Sequence, residues 1–102
     1  MGRLIEVQEA RACPSPLTVR QDDVLLFHAT GGHVRSGGNA IELVGPLLTA
    51  VLGDNGTILT PMGSPNVVLF RAHGPGEATI DIVTGDSWSA PQAIPLLIIV
   101  VP

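Results

Sequence analysis

Three histidines are the side chains of this sequence best suited to chemistry, because an imidazole nitrogen can bind zinc or copper and can carry a proton near neutral pH. They are His28, His33 and His73, and Cys13, Met62 or an aspartate could complete a metal shell around them. Their spacing matches no metal motif, and Cys13 precedes all three histidines, whereas a blue-copper site needs a cysteine between them. We therefore predict no metal or other cofactor, and keep the three histidines as the alternative ligand set.

Serine, histidine and aspartate are all present, but no glycine-serine-glycine elbow marks a nucleophile. The glycines between Gly32 and Gly38 are spaced as in a phosphate-binding loop. However, Gly38 and Asn39 stand where such a loop requires a lysine and a hydroxyl residue. These patterns predict a protein that is not an enzyme.

If the chain binds a protein partner, we expect the loops to make the contacts. Residues 30–39 read TGGHVRSGGN, with four glycines in ten positions, and they are predicted to form the longest loop. Trp88 is the only tryptophan, and tryptophan is strongly enriched in binding hot spots; the alternative is a core role at the sheet interface. The candidate contact residues are Thr30, Gly31, His33, Arg35, Gly63 and Trp88.

Composition excludes several partners. The net charge is −4 and the chain has no lysine, so no basic stripe exists to neutralise a nucleic-acid backbone. The longest apolar run, residues 96–101, is far shorter than the roughly 20 residues that span a bilayer, so no membrane insertion is expected. A single cysteine cannot form an intrachain disulfide, and we predict no signal peptide within residues 1–102. The compartment stays open, with an extracellular or cell-surface location favoured.

Short apolar or alternating runs separated by turn residues every eight to twelve positions predict β-strands. Residues 77–84 show the clearest alternation, with Ala78, Ile80 and Ile82 on one face and Asp81 on the other. The final run is apolar on both faces, as expected between two sheets or at a partner contact. The predicted strands are residues 4–10, 17–19, 24–29, 41–44, 47–52, 57–60, 68–72, 77–84 and 94–101.

Turn chemistry supports these boundaries. Asp22 and Asp23 predict a solvated turn, because aspartate side chains bond nearby backbone amides. Asp54, Asn55 and Gly56 predict a hairpin turn, since asparagine followed by glycine suits the two positive φ angles of a primed turn. The whole pattern predicts an all-β chain, a single immunoglobulin-like antiparallel β-sandwich over residues 1–102 with about seven to nine short strands. A jelly roll or a small β-barrel is the alternative fold.

The segment 70–82, FRAHGPGEATIDI, followed by a loop and an apolar strand, resembles the closing part of bacterial immunoglobulin-like domains. The segment 17–27, LTVRQDDVLLF, is similar to their opening hairpin. This resemblance implies a β-sandwich that serves as an interaction module.

Within that class, the order of elements also resembles the chagasin-type inhibitors of papain-like cysteine proteases, which insert three loops into the protease cleft. Thr30 and Gly31 fall where that family has an Asn-Pro-Thr-Thr-Gly loop, and Gly63 falls in the place of a glycine-rich loop. Trp88 stands where the family has Arg-Pro followed by an aromatic residue. The resemblance implies a protease-binding role for these positions.

Three functions follow as hypotheses. The first is a non-enzymatic interaction or structural module that self-associates or binds a protein partner. The alternatives are a chagasin-like inhibitor of papain-like cysteine proteases and a small metal-binding β domain that uses His28, His33 and His73.

Overall fold

The computed structural model describes residues 2–60, 62–85 and 91–102. A short 3-10 helix at Ala10–Ala12 follows the first strand. The strands are β1 (Leu4–Val7), β2 (Leu17–Arg20), β3 (Val24–Phe27), β4 (Gly31–Ser36), β5 (Ile41–Leu47), β6 (Val51–Leu52), β7 (Ile58–Leu59), β8 (Val67–Ala72), β9 (Gly76–Thr84) and β10 (Gln92–Val101).

Eight of these strands form two four-stranded sheets. One sheet has the order β1-β3-β8-β5 and the other the order β2-β10-β9-β4, while β6 and β7 pair as a separate hairpin. The predicted all-β sandwich is confirmed, and the barrel alternative is wrong, because each sheet ends in edge strands within the described part of the chain. The expectation of purely antiparallel pairing is wrong at two edges: β1 runs parallel to β3, and β2 runs parallel to β10.

The core lies between the two sheets and consists of the inward positions of their strands. Phe27 and Phe70 meet edge to face there, with ring centroids 5.9 Å apart. Burying each large aliphatic side chain contributes about 1.5–3 kcal/mol, so this layer supplies most of the driving force for folding. The buried cluster comprises Val19, Leu25, Phe27, Ala29, Ala40, Ile41, Val68, Phe70, Ala72, Ala78, Ile80, Ile82, Leu96, Ile98 and Val100.

The apolar run at residues 96–101 lies in β10, and the position of this strand explains why it is apolar on both faces. It lies inside its sheet, between β9 and β2. Alternate side chains at Leu96, Ile98 and Val100 are buried in the core, whereas Leu97 and Ile99 are half-buried on the outer face of the sheet. One half of the run therefore belongs to the core, and a partner contact on the other half stays a prediction.

Residues 30–39 were expected to form a loop, and this expectation is wrong for most of the segment. Gly31–Ser36 form β4, which pairs with the edge of β9. Gly32 packs closely there: a Cβ atom at this position would lie 2.9 Å from Phe70 Cζ and 2.9 Å from the carbonyl oxygen of Asp81. This glycine therefore allows close packing inside a strand. The glycine-rich composition of the segment had instead predicted a loop.

Other boundaries also differ from the sequence prediction. The first strand ends at Val7, before the 3-10 helix, and β5 continues through Gly45 and Pro46, where a break was expected. An irregularity between Leu43 and Gly45 absorbs this change of register. The turn at Asp54–Gly56 is confirmed as the tip of the β6–β7 hairpin. Among the described residues, no helix is long and apolar enough to span a membrane.

Candidate functional site

Three chain connections begin and end at one end of the sandwich, which we call the loop end. They are residues 28–30 between β3 and β4, residues 48–66 between β5 and β8, and the connection from β9 to β10. The register fixes this arrangement: Phe27 pairs with Val68, Leu47 pairs with Val67, and Gly31 pairs with Val83 near the end of β9. The loop end therefore draws on both sheets.

The first connection is held tightly to β9. The backbone N–H and the hydroxyl group of Thr30 both donate to the carbonyl oxygen of Val83, at 3.0 and 3.1 Å. Ala29 is buried in the core beside it. Thr30 thus anchors the connection. The neighbouring Gly31 has room for a side chain, because among the described residues an added Cβ would contact Val83 alone, at 3.8 Å.

The second connection carries the β6–β7 hairpin, whose base is fixed by Asn66. The side-chain amide of Asn66 accepts from the backbone N–H of Thr49 at 3.1 Å and donates to the Thr49 hydroxyl at 2.9 Å. The backbone N–H of Asn66 donates to the carbonyl oxygen of Leu47 at 3.0 Å. These bonds tie the two ends of the connection together, so the hairpin is attached to β5 and β8 at a defined point.

The tip of this hairpin is also well defined. Asn55 Oδ1 accepts a hydrogen bond from the backbone N–H of Thr57 at 3.1 Å, and Gly53 N–H donates to the carbonyl oxygen of Thr57 at 2.7 Å. Gly56 has a φ of 84°, in the left-handed region, but the φ of Asn55 is not positive, so the hairpin forms where it was predicted while the predicted primed turn type is wrong. Gly63 follows in the same connection with a φ of 127°, and no heavy atom of the part of the chain that the structure describes lies within 4 Å of an added Cβ there.

The third connection holds Trp88, which lies outside the described residues. Its assignment to a contact role or a core role stays a prediction. The described chain does place Val83 and Thr84 of β9, and Gln92 of β10, at the loop end. A cleft of about 150 Å³ opens beside them, lined by Gln8, Glu9, Ala10, Arg11, His28, Thr84 and Ile94.

His33 and Arg35, expected in a loop, lie on β4 and cover a buried carboxylate. Asp81 on β9 is only 1% exposed. Its Oδ2 atom lies 2.8 Å from His33 Nε2 and 2.9 Å from Arg35 Nη2, and it accepts a hydrogen bond from Arg35 Nε at 3.1 Å. Both covering side chains remain more than half exposed, at 58% and 59%. The sequence alternation placed Asp81 correctly on the outer face, but the partners that bury it come from a strand that was read as a loop.

The three histidines have different neighbours. His28 Nε2 lies 3.6 Å from Glu6 Oε2, His33 contacts Asp81, and His73 Nε2 lies 2.9 Å from the carbonyl oxygen of Gly38. Residues 2–60, 62–85 and 91–102 contain no cluster of three or more His, Cys, Asp or Glu side chains that could hold a metal ion. The described structure therefore does not bring His28, His33 and His73 together as a metal site.

The opposite end of the sandwich has its own ionic contact, which the sequence did not reveal. Asp23, expected to be solvated, is 1% exposed, and this part of the turn prediction is wrong. Its carboxylate accepts hydrogen bonds from Arg3 Nε at 3.1 Å, from Arg3 Nη2 at 2.7 Å, and from the backbone N–H groups of Arg3 and Arg20. The hydrogen bonds from the Arg3 side chain lower the pKa of Asp23 to about 2. This contact ties the start of β1 to the turn before β3.

Comparisons with known proteins identify solved structures with a similar fold. No family profile matches the sequence, and no curated protein matches it. Among solved structures, the chain is similar to a cysteine protease inhibitor from Entamoeba histolytica (EhICP2), with a TM-score of 0.53 and 13% identity over 98% of this chain and 96% of that chain. It is also similar to Amebosin, with a TM-score of 0.50 and 12% identity over 97% of this chain and 98% of that chain. At these identities the likeness shows the fold alone, and it extends over both sheets.

Proposed function

We propose that this chain is a non-enzymatic protein-binding domain that inhibits papain-like cysteine proteases, with the loop end as its contact surface. The observation that carries the proposal is that three connections begin and end at one end of a sandwich whose fold is shared with a solved cysteine protease inhibitor. The chagasin-type resemblance of Thr30, Gly31, Gly63 and Trp88 points to the same three connections. Inhibition of this kind needs no catalytic group, because the inhibitor acts by filling the cleft that a substrate would use.

The way the loop end is held suits such a role. The bonds from Thr30 to Val83 fix the first connection, and those from Asn66 to Thr49 fix the base of the second. A surface that is already ordered before binding loses less conformational entropy on association, so more of the contact energy becomes affinity. We expect reversible, competitive inhibition in which the inhibitor itself is not cleaved.

The test is inhibition of papain by the purified protein, with two matched glycine variants. Gly31→Arg places a long side chain on the loop end, where an added Cβ meets Val83 and no other described residue. Gly38→Arg places the same side chain at the opposite end, where no heavy atom of the described chain lies within 4 Å of an added Cβ. We expect wild type and Gly38→Arg to inhibit equally and Gly31→Arg to inhibit at least about 10-fold more weakly. Absence of inhibition by the wild type, or equal loss in both variants, contradicts the proposal.

Self-association is the second candidate, and the outer face of β10 favours it. Leu97 and Ile99 are half-buried there, and Val101 at the end of the strand is exposed. These three side chains are the half of the apolar run at residues 96–101 that is not buried in the core. The mass of the protein by light scattering across a dilution series tests the idea, and a monomer at every concentration removes it.

A further inference from the structure

The β6–β7 hairpin is apolar on both of its faces. Val51 pairs with Leu59, and Leu52 pairs with Ile58. Because neighbouring residues on a strand point to opposite faces, one pair lies on each face of the hairpin. All four side chains are exposed, between 54% and 67%.

Within residues 2–60, 62–85 and 91–102, the body of the protein does not cover this surface. The hairpin is bonded at its base through Asn66 and Thr49, and its two strands pair with each other and with neither main sheet. The radius of gyration is 14.4 Å, whereas a compact chain of this length has about 13 Å. An isolated two-stranded hairpin is only marginally stable in water, and exposed aliphatic patches of this kind mark interaction sites.

Covering both faces requires an occupant with two walls, because a flat surface would bury only one cross-strand pair. The negative charge of Asp54 at the tip of the hairpin further limits which partners could bind it. Asp54 is the only charged residue between residues 48 and 60, and it is exposed at the tip of the hairpin. A groove that receives the hairpin tip first would therefore need a cation or backbone N–H donors at its floor, because a carboxylate buried without such partners is strongly disfavoured.

This charge disfavours two other occupants. A second copy of this chain offers an apolar groove of about 370 Å³ that includes Ile5, Cys13 and Leu17, but Glu6 and Glu9 also line it and would repel Asp54. A lipid bilayer would have to accept the Asp54 carboxylate at the leading tip, and the hairpin has neither the basic residues nor the aromatic residues that attach proteins to membrane surfaces.

We propose that the hairpin is a wedge that selects its protein partner by side-chain burial on both faces: it fits a groove with two apolar walls and a cationic or N–H-donating floor. This inference rests on the proposed function and adds the chemistry of the groove. The resemblance places a glycine-rich loop in this connection, whereas four exposed aliphatic side chains project from it here. Specificity at this point therefore comes from side chains that a glycine-rich backbone lacks.

The experiment compares variants of the two faces in papain inhibition and in binding to papain whose catalytic thiol is chemically blocked. Val51→Thr with Leu59→Thr changes one face, Leu52→Thr with Ile58→Thr changes the other, and Asp54→Arg reverses the charge at the tip. Leu4→Thr is the matched control, because Leu4 is 66% exposed and lies on β1 beside Val24, away from the loop end. Threonine keeps a high strand propensity, so all variants are expected to retain the wild-type melting temperature.

We expect each face variant to weaken binding about 10-fold to 100-fold, Asp54→Arg to weaken it about 10-fold, and Leu4→Thr to leave it unchanged. If one face variant binds like wild type, the two-walled groove is wrong. If both face variants bind like wild type while Gly31→Arg still weakens inhibition, the assignment of the hairpin as a wedge is wrong and the proposed function stands. If the wild type neither binds nor inhibits papain, both proposals fall.

Two further measurements identify a different occupant. Light scattering detects self-association, and sedimentation with phosphatidylcholine vesicles detects lipid binding. Wild-type protein that forms dimers or binds vesicles, and loses this property in the face variants, overturns the assignment to a protein groove.

Discussion

The ion pair between Arg3 and Asp23 makes a quantitative prediction about acid stability. The carboxyl group of Asp23 has a folded-state pKa of about 2, because Arg3 donates two side-chain hydrogen bonds to it and the backbone adds two more. In an unfolded chain the pKa of an aspartate is about 3.9. The folded state therefore binds the Asp23 proton less readily than the unfolded state does.

The sign and size of the effect follow from this difference. A depressed folded-state pKa stabilises the fold above about pH 4, and this contribution is lost as the pH falls through about 2. One pKa unit corresponds to about 1.4 kcal/mol, but Arg3 is 52% exposed and solvent screens the pair. We expect the pair to contribute about 1–2 kcal/mol to the free energy of unfolding at pH 7.

The assay is urea unfolding of wild type and Arg3→Met between pH 7 and pH 2. Methionine keeps most of the apolar stem and removes the guanidinium group, so the comparison isolates the charged contact. We expect the two free energies of unfolding to differ by about 1–2 kcal/mol from pH 7 to pH 5 and to converge between about pH 4 and pH 2. Asp23→Asn removes the titrating carboxyl group and serves as the control for the change in the free energy of unfolding between about pH 4 and pH 2. Parallel curves for wild type and Arg3→Met down to pH 2 would refute the reasoning.

Three further predictions concern packing and the site. Gly32→Ala places a Cβ 2.9 Å from the Phe70 ring and should cost about 1–3 kcal/mol by thermal unfolding, whereas Gly38→Ala meets no neighbour and should be silent. Phe70→Ala removes the edge-to-face contact with Phe27 and should cost about 3–5 kcal/mol; a change below 1 kcal/mol by urea unfolding contradicts the buried assignment. Asn66→Ala breaks both bonds to Thr49 and should weaken papain inhibition about 3-fold to 10-fold with little change in melting temperature, and inhibition equal to wild type would show that the base of the hairpin does not position it.

Elements specified by local pattern were predictable. The alternation of Ala78, Ile80 and Ile82 predicted both β9 and its buried face, and the Asn55–Gly56 pair predicted the hairpin at the position where it occurs. In both cases the deciding residues are within a few positions of one another, so their geometry follows from strand periodicity and backbone preference alone.

The candidate site was less accessible to this reasoning. Thr30, Gly31 and Gly63 were selected by resemblance, and the structure brings their two connections to one end. The exposed aliphatic faces of the hairpin were missed, because Val51, Leu52, Ile58 and Leu59 read as ordinary strand residues. Whether such residues are buried depends on whether another part of the chain packs over them, which no local pattern records.

The amino-acid sequence by itself determined that the chain is all-β, where most strands lie and which side chains of β9 face the core. Only the tertiary structure decided that Gly32 lies inside a strand against Phe70, that Asp81 is buried beneath Arg35, and that Asp23 is buried beside Arg3. The physical reason is the separation of the partners: Asp81 and Arg35 are 46 positions apart, and Asp23 and Arg3 are 20 apart. Strand propensity acts between neighbours, whereas burial and ion pairing depend on which distant segments the fold brings together.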